Sequence, residues 1–178
     1  MARPRLTGVL LVGGASTRFG SPKALARLGD ETLSERAWRT LGEACDERIA
    51  VGKRADRLTL PFPVLDDGTD TRAALAGIVA GLRAAESDLV VVLPVDAPSI
   101  TPALLRELAE ACEEAAAPEA SPLPAAFRRS TLPLLERRLA EQRLALHEAL
   151  DELGAIRLEV DEALLTNVNT RDELRRLR

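Results

Sequence analysis

Two runs, GVLLV (residues 8–12) and DLVVVL (88–93), carry almost no polar side chain. A strand with one wet face alternates apolar and polar residues, so a run that does not alternate reads as a strand covered on both faces. From Leu6 to Val12 only Thr7 and Gly8 interrupt the apolar character, and the β-branched run of the second segment suits the centre of a parallel sheet. A sheet covered on both sides needs helices on both sides. That requirement limits the chain to a three-layer α/β sandwich with a mainly parallel central sheet.

The rest of the chain supplies those helices. Thr32-x-x-Glu35 is a capping box that opens a helix to about residue 44. Short strands are expected at 48–51 and at 62–65, the second followed by Asp66-Asp67-Gly68. Residues 71–85 are Ala-rich and carry Gly77 and Gly81, four apart on one helix face, which lets that face approach another backbone. Thr101-Pro102 starts a helix expected to run to about residue 117. A loop follows at 118–124, then a strand end at 125–128 and helical periodicity over 132–153, broken near Gln142. Ile156, Leu158 and Val160 alternate as a strand with one covered face, and Thr170-x-x-Glu173 caps a last helix. At 178 residues, without an internal repeat, the whole chain (1–178) reads as a single domain.

Composition narrows the function. Aromatics are 2% of the chain and there is no Tyr, so the core is aliphatic. The net charge of -4, with Lys and Arg spread along the chain, argues against a nucleic-acid surface. No apolar run is long enough to span a bilayer, and GVLLV is too short for a signal-peptide core, so a cytoplasmic protein is expected. Cys45 and Cys112 are far apart, with no CxxC or Cys/His cluster, which argues for reduced thiols and against structural zinc.

In a parallel α/β sheet, ligands bind beyond the carboxyl ends of the strands. Three features fall there. The loop GGASTRFGSPK (13–23) holds glycines, small hydroxyls, Arg18 and Lys23, and no acid. Exposed backbone N–H groups and two cations suit an anion, and a phosphate chain best. The loop matches neither the Walker A pattern nor the dinucleotide fingerprint. Asp96 lies between Pro94 and Pro98 just after the second apolar run, a rigid carboxylate suited to magnesium, which takes one or two protein carboxylates and completes its shell with phosphates and water. Asp66-Asp67-Gly68 is the third, although such a turn is also common for local reasons. Near the C-terminus, Asn169 and Thr170 have turn and cap roles, whereas Asn167 has no local structural reason. His147 reads as an exposed helical residue, and Trp38 as core. With no Ser/His/Asp or Cys/His set, the chemistry points to metal-assisted phosphoryl or nucleotidyl transfer.

These segments, LVGGASTRFGSPKALARLG, ALAGIVAGL, LPVDAP and NVNTRDEL, occur in the order and spacing of a known family. From Leu10 to about Leu174 the chain resembles the molybdenum cofactor guanylyltransferases (the MobA family) of the GT-A-like nucleotidyltransferases, which have a Rossmann-like fold. The resemblance implies that Leu11, Val12, Gly13 and Gly14 bind the nucleotide base and phosphates. It makes Lys23 and Arg18 the catalytic cations, places Asp66 near the nucleoside, and makes Asp96 both catalytic and the Mg2+ ligand. Asn167 and Asn169 are placed near molybdopterin. The implied reaction is attack by the molybdopterin phosphate on the α-phosphate of GTP, with release of pyrophosphate. The implied partners are GTP and molybdopterin, with molybdoenzymes or other cofactor-biosynthesis proteins beyond them.

The departures fall in the specificity parts. Val12 replaces the family's Ala, Pro22 replaces an Asp before Lys23, and Ala73-Ala74-Leu75-Ala76-Gly77 replaces Gly-Pro-Leu-Ala-Gly. Lys53-Arg54 replaces an Asn-Arg pair, so Lys53 can meet the nucleotide by charge but not with an amide's paired donor and acceptor. Three alternatives stand beside this reading. A molybdopterin cytidylyltransferase shares the loop and the N-x-N-T ending. A sugar-1-phosphate nucleotidyltransferase is typically longer. An inactive nucleotide-binding partner protein is disfavoured by the presence of Lys23 and Asp96.

Overall fold

The computed structural model describes residues 4–13 and 22–177. The main sheet has seven strands: β1 (Leu6–Leu11), β4 (Glu47–Gly52), β5 (Val64–Asp66), β6 (Leu89–Pro94), β7 (Ala115–Pro118), β8 (Ala125–Arg128) and β9 (Ile156–Leu158). A small antiparallel hairpin, β2 (Arg27–Leu28) and β3 (Glu31–Thr32), stands apart from it. The strand order is β5-β4-β1-β6-β8-β7-β9. β1 pairs in parallel with β4 and with β6, with Leu10 opposite Ala50 and Leu93. β8 runs antiparallel to β6 and β7, while β7 and β9 are parallel, so β8 alone is reversed. This is the sandwich expected from the two unbroken apolar runs.

Among the described residues, six helices cover the sheet: α1 (Leu33–Ala44), α2 (Ala74–Ala84), α3 (Pro102–Ala111), α4 (Leu132–Ala140), α5 (Leu146–Glu152) and α6 (Arg171–Arg176). Neighbouring residues of a strand point to opposite faces. Leu10 therefore packs with Leu41 and Leu105 of α1 and α3, while Val9 packs with Ile78 and Leu135 of α2 and α4. The two cores are separated by the sheet, and both are almost wholly aliphatic and alanine. Among the described residues, no helix is long and apolar enough to cross a membrane.

The two capping boxes form as expected at Thr32–Glu35 and Thr170–Glu173, and Thr101 caps α3 with Pro102 at its first turn. The expected break near Gln142 is there, with Gln142 itself at φ 57° between α4 and α5. Three expectations need correction. The helix opened by Thr101 ends at Ala111, and Ala115–Pro118 is a fully buried strand. Alanine favours helix, but backbone pairing with β8 on one side and β9 on the other, with all four residues buried, overrides that propensity. The strand expected at 62–65 lies at Val64–Asp66, because Phe62 leaves the sheet to stack on Trp38 with ring centroids 4.2 Å apart. Trp38 is therefore at the margin of the core, with the Arg48 guanidinium 4.6 Å above its ring. Finally, Gly77 and Gly81 do admit a close neighbour, but it is the side chains of β1. A Cβ on Gly77 would stand 2.7 Å from Leu11 Cδ2, and one on Gly81 would stand 2.7 Å from Val9 Cγ1.

Candidate active site

Proceeding from β1, the chain crosses to β4 and β5 on one side and returns to β6 on the other. The carboxyl ends of β1 and β6 thus flank a topological switch point, where open parallel sheets leave a crevice. A cleft lies there. Its floor is Leu11, Val12 and Gly13 from β1, with Pro94, Val95 and Asp96 from β6. Lys53, Asp67 and Gly77 line the β4–β5 side, and Ser121, Leu123 and Asn167 the other. Gly14 and Arg18 lie outside the described residues.

Asp96 is aimed by its neighbours. Val95 and Ala97 are buried, and the Val95 N–H donates to the Leu11 carbonyl at 3.1 Å, extending the strand register by one residue. The chain then turns, with the Ala97 N–H donating to the Pro94 carbonyl at 3.4 Å, and this turn presents Asp96 to the cleft. Lys23 opens a one-turn 3-10 helix (Lys23–Leu25) that is anchored by buried Ala24. Its Nζ donates to Asp96 Oδ2 at 3.0 Å and to Asn169 Oδ1 at 2.9 Å. Asn169 reaches this point because Val168, fully buried, donates its N–H to the Asp96 carbonyl at 2.8 Å. The N-x-N spacing is therefore an extended segment with its middle residue inserted in the core and both asparagines exposed. Of the pair, Asn167 lines the cleft.

On the other side of the switch point the two acids divide. Asp67 lies in the cleft, where both its oxygens accept from Lys53 Nζ at 2.9 and 2.8 Å. The pair is well buried, with side chains 10% and 6% exposed. Asp66, expected near the nucleoside, is not among the residues lining this cleft. It accepts a hydrogen bond from the Arg54 N–H at 2.9 Å and lines a neighbouring depression with Arg57 and Phe62. One step along an extended chain reverses the side-chain direction, so only one of two adjacent acids can face the cleft.

Arg72 and Asp56 also line the cleft and pair at 2.8 Å. The hydrogen bond to Asp56 raises the Arg72 guanidinium above its usual range, with a weaker attraction from Asp67. Sequence reasoning passed over Asp56, Asp67 as distinct from Asp66, Arg72 and the 121–123 loop. The loop carries no chemical signal beyond its turn composition, Asp56 and Arg72 belong to no motif, and Asp67 stands out in the sequence only as part of the Asp66-Asp67-Gly68 turn. The expected exposure of His147 is observed.

The residues present suit a hard divalent cation that keeps most of its shell for phosphate and water. Asp96 offers one carboxylate, and among the described residues no group of three His, Cys, Asp or Glu could form an all-protein cage. A single carboxylate with an ammonium beside it suits a magnesium-type ion better than a zinc-type one. Lys23 and Asp96 therefore lie together in the cleft, an ammonium beside a carboxylate that could hold a cation, where both charges could meet a polyphosphate.

Residues 8–156 match the MobA-like NTP transferase domain family. A protein of Chloroflexus aggregans named probable molybdenum cofactor guanylyltransferase is 33% identical over 96% of this chain and 92% of its own. A molybdenum cofactor guanylyltransferase of Burkholderia vietnamiensis is 40% identical over 59% of this chain; that match spans only about half, 55%, of the relative's length. Among solved structures, molybdopterin-guanine dinucleotide biosynthesis protein A from Archaeoglobus fulgidus superposes with a TM-score of 0.83 over 96% of each chain, at 25% identity.

Proposed function

The chain belongs to the MobA-like NTP transferase domain family, and on that premise we propose that it transfers GMP from GTP to the phosphate of molybdopterin, releasing pyrophosphate. One observation carries the reading: a single ammonium, Lys23, joins the carboxylate at the end of β6 to the asparagine of the N-x-N segment, beside the loop that follows β1. Triphosphate, cation and acceptor have to meet where those three elements meet.

In this reading the 13–23 loop and Lys23 hold the triphosphate, with Arg18 as a second cation. Leu11, Val12, Gly13 and Gly14 line the base and the phosphates. Asn167 and Asn169 position the acceptor on the side of the cleft away from β4. Asp96 would hold Mg2+, which would supply charge neutralisation at the reacting phosphate. An acceptor phosphate oxygen attacks the α-phosphorus, and the bond to the bridging oxygen of pyrophosphate breaks. Lys23 stabilises the charge that gathers on the leaving group. No protein nucleophile is required, which agrees with a cleft whose described residues include cations and carboxylates but no Ser/His or Cys/His pair.

Calorimetric titration of the purified protein with GTP and with CTP, each with magnesium, tests the nucleotide. Pyrophosphate release in the presence of molybdopterin tests the reaction. Preference for GTP and acceptor-dependent release are expected. Preference for CTP moves the chain to cytidylyl transfer, and failure of a folded sample to bind either nucleotide overturns the reading.

A further inference from the structure

The β4–β5 side of the cleft holds two ion pairs that differ in how much of their hydrogen-bonding capacity is already used. Lys53 Nζ donates to both oxygens of Asp67 and to the Thr69 carbonyl, the last at 2.6 Å. An ammonium has three protons, so all three are engaged. Asp67 Oδ1 also accepts from the Thr69 N–H at 3.2 Å. Lys53 stands where the family has an asparagine, yet it has nothing left to offer a ligand unless this network opens.

The second pair has capacity to spare. Arg72 donates to Asp56 Oδ1 at 2.8 Å through one nitrogen, which leaves most of its five N–H groups available. Asp56 Oδ2 accepts no hydrogen bond from the described residues. It lies 3.8 Å from where a Cβ on Gly13 would stand, beside the point at which β1 passes into the loop. Asp56 is itself held by the one-turn 3-10 helix Arg54–Asp56, its N–H donating to the Lys53 carbonyl at 3.0 Å. Its side chain is 20% exposed and that of Arg72 is 51% exposed, so the pair can be reached from the cleft.

We propose that Asp56 and Arg72 read the nucleotide base, a specificity role that rests on the nucleotidyl-transfer reading above. A carboxylate only accepts, and a guanidinium only donates. The Watson–Crick edge of guanine offers two adjacent donors, N1–H and the N2 amine, and one acceptor, O6. Asp56 Oδ2 takes the donors and Arg72 takes O6. Cytosine presents one donor and two acceptors on the same edge, which sets an acceptor against the carboxylate. Selectivity for guanine thus lies with the acid three residues after Lys53, and Lys53 serves to hold the wall.

The test is calorimetric binding of GTP, ITP and CTP with magnesium to the wild type, Asp56→Asn and Arg72→Ala, each shown to be folded by its circular dichroism. ITP is GTP without the N2 amine. The wild type is expected to bind GTP about tenfold or more tightly than ITP, as for a hydrogen bond to a charged group. Asp56→Asn should bring the two nucleotides within about twofold of each other. Arg72→Ala should weaken both and preserve their ratio, because O6 is common to them. Equal binding of GTP and ITP by the wild type, or an unchanged preference in Asp56→Asn, overturns the assignment. Preference of the wild type for CTP overturns it while leaving nucleotidyl transfer standing. Failure of the folded wild type to bind any of the three overturns both.

Discussion

Lys23 Nζ lies 3.0 Å from Asp96 Oδ2, joining two residues 73 positions apart in the chain. The contact is partly buried and brings the carboxyl end of β6 to the turn that follows the β1 loop. Asp96→Asn keeps the shape and removes the charge. Acceptor-dependent pyrophosphate release should fall by about a thousandfold, as when a preorganised charge is removed from a transition state, while the thermal unfolding midpoint stays near that of the wild type. A rate within a few-fold of wild type would take Asp96 out of the mechanism.

The Lys53–Asp67 pair is buried enough that each partner depends on the other. Lys53→Met should lower the unfolding free energy by about 3 kcal/mol, because it leaves Asp67 charged and unpaired. Adding Asp67→Asn should recover part of that loss, so the double variant is less destabilised than the sum of the singles. Urea unfolding of all four proteins measures the coupling, and simple additivity would show that the pair contributes nothing as a pair.

Replacing a helical glycine by alanine ordinarily stabilises a helix by about 1 kcal/mol. At Gly81 the added methyl would meet both γ-carbons of Val9 at 2.7 Å and its Cβ at 3.3 Å, a stiff β-branched side chain fixed in the central strand. Gly81→Ala should therefore destabilise the protein. At Gly77 the obstacle is the end of the more flexible Leu11 side chain, so Gly77→Ala should cost less. Thermal unfolding of the two variants orders them, and equal effects would count against this account.

Arg138 is fully buried between α4 and α5, where it donates to Glu152 Oε2 at 2.7 Å, Glu148 Oε2 at 2.9 Å and the Ala145 carbonyl. Burial works against its charge, but the bonds to Glu152 and Glu148 outweigh it and raise the guanidinium above its usual range. The bond from Arg138 holds the Glu152 carboxyl below the usual value of 4.5. A carboxyl depressed in the folded state binds its proton more readily when unfolded. Its contribution is thus complete above the usual carboxylate value and disappears as pH falls through its folded value. Stability measured by urea between pH 7 and pH 3 should drop on the acid side in the wild type. In Arg138→Met the Glu152 part of that drop should shrink, with the remainder held by Arg143 and Arg137, and parallel pH profiles would contradict it.

Burial pushes the Cys112 thiol up to about 11. The thiolate is the reactive form, so at pH 8 Cys112 should resist alkylation until the protein unfolds. Mass spectrometry after brief iodoacetamide treatment, with and without urea, reads this directly. Rapid labelling of folded protein at Cys112 would place it outside the core.

Much of the architecture was legible because it depends on local patterns. Unbroken apolar runs demanded a doubly covered sheet, and Thr-x-x-Glu marked two helix starts through bonds spanning three residues. The 115–118 strand was not legible, because alanine carries a helical preference and only pairing with β8 and β9, both later in the chain, decides against it. The same division runs through the site. Lys23, Asp96, Gly13 and Asn167 could be named from residue type and position in an α/β order, and all four line the cleft.

What the sequence by itself determined was therefore the kind of fold, the ends of its helices and the stretches that must converge at the carboxyl edge of the sheet. Tertiary structure decided which atoms meet there. Asp66 and Asp67 are chemically alike and adjacent, and only the direction of the chain leaving β5 puts Asp67 in the cleft and Asp66 beside Arg54. Lys53 looked like a free charge, and only its placement between Asp67 and Thr69 commits all its protons to the protein. Hydrogen bonds of this kind join positions distant in the chain over about 3 Å. Local propensity cannot encode that distance; the packing of the whole sheet sets it.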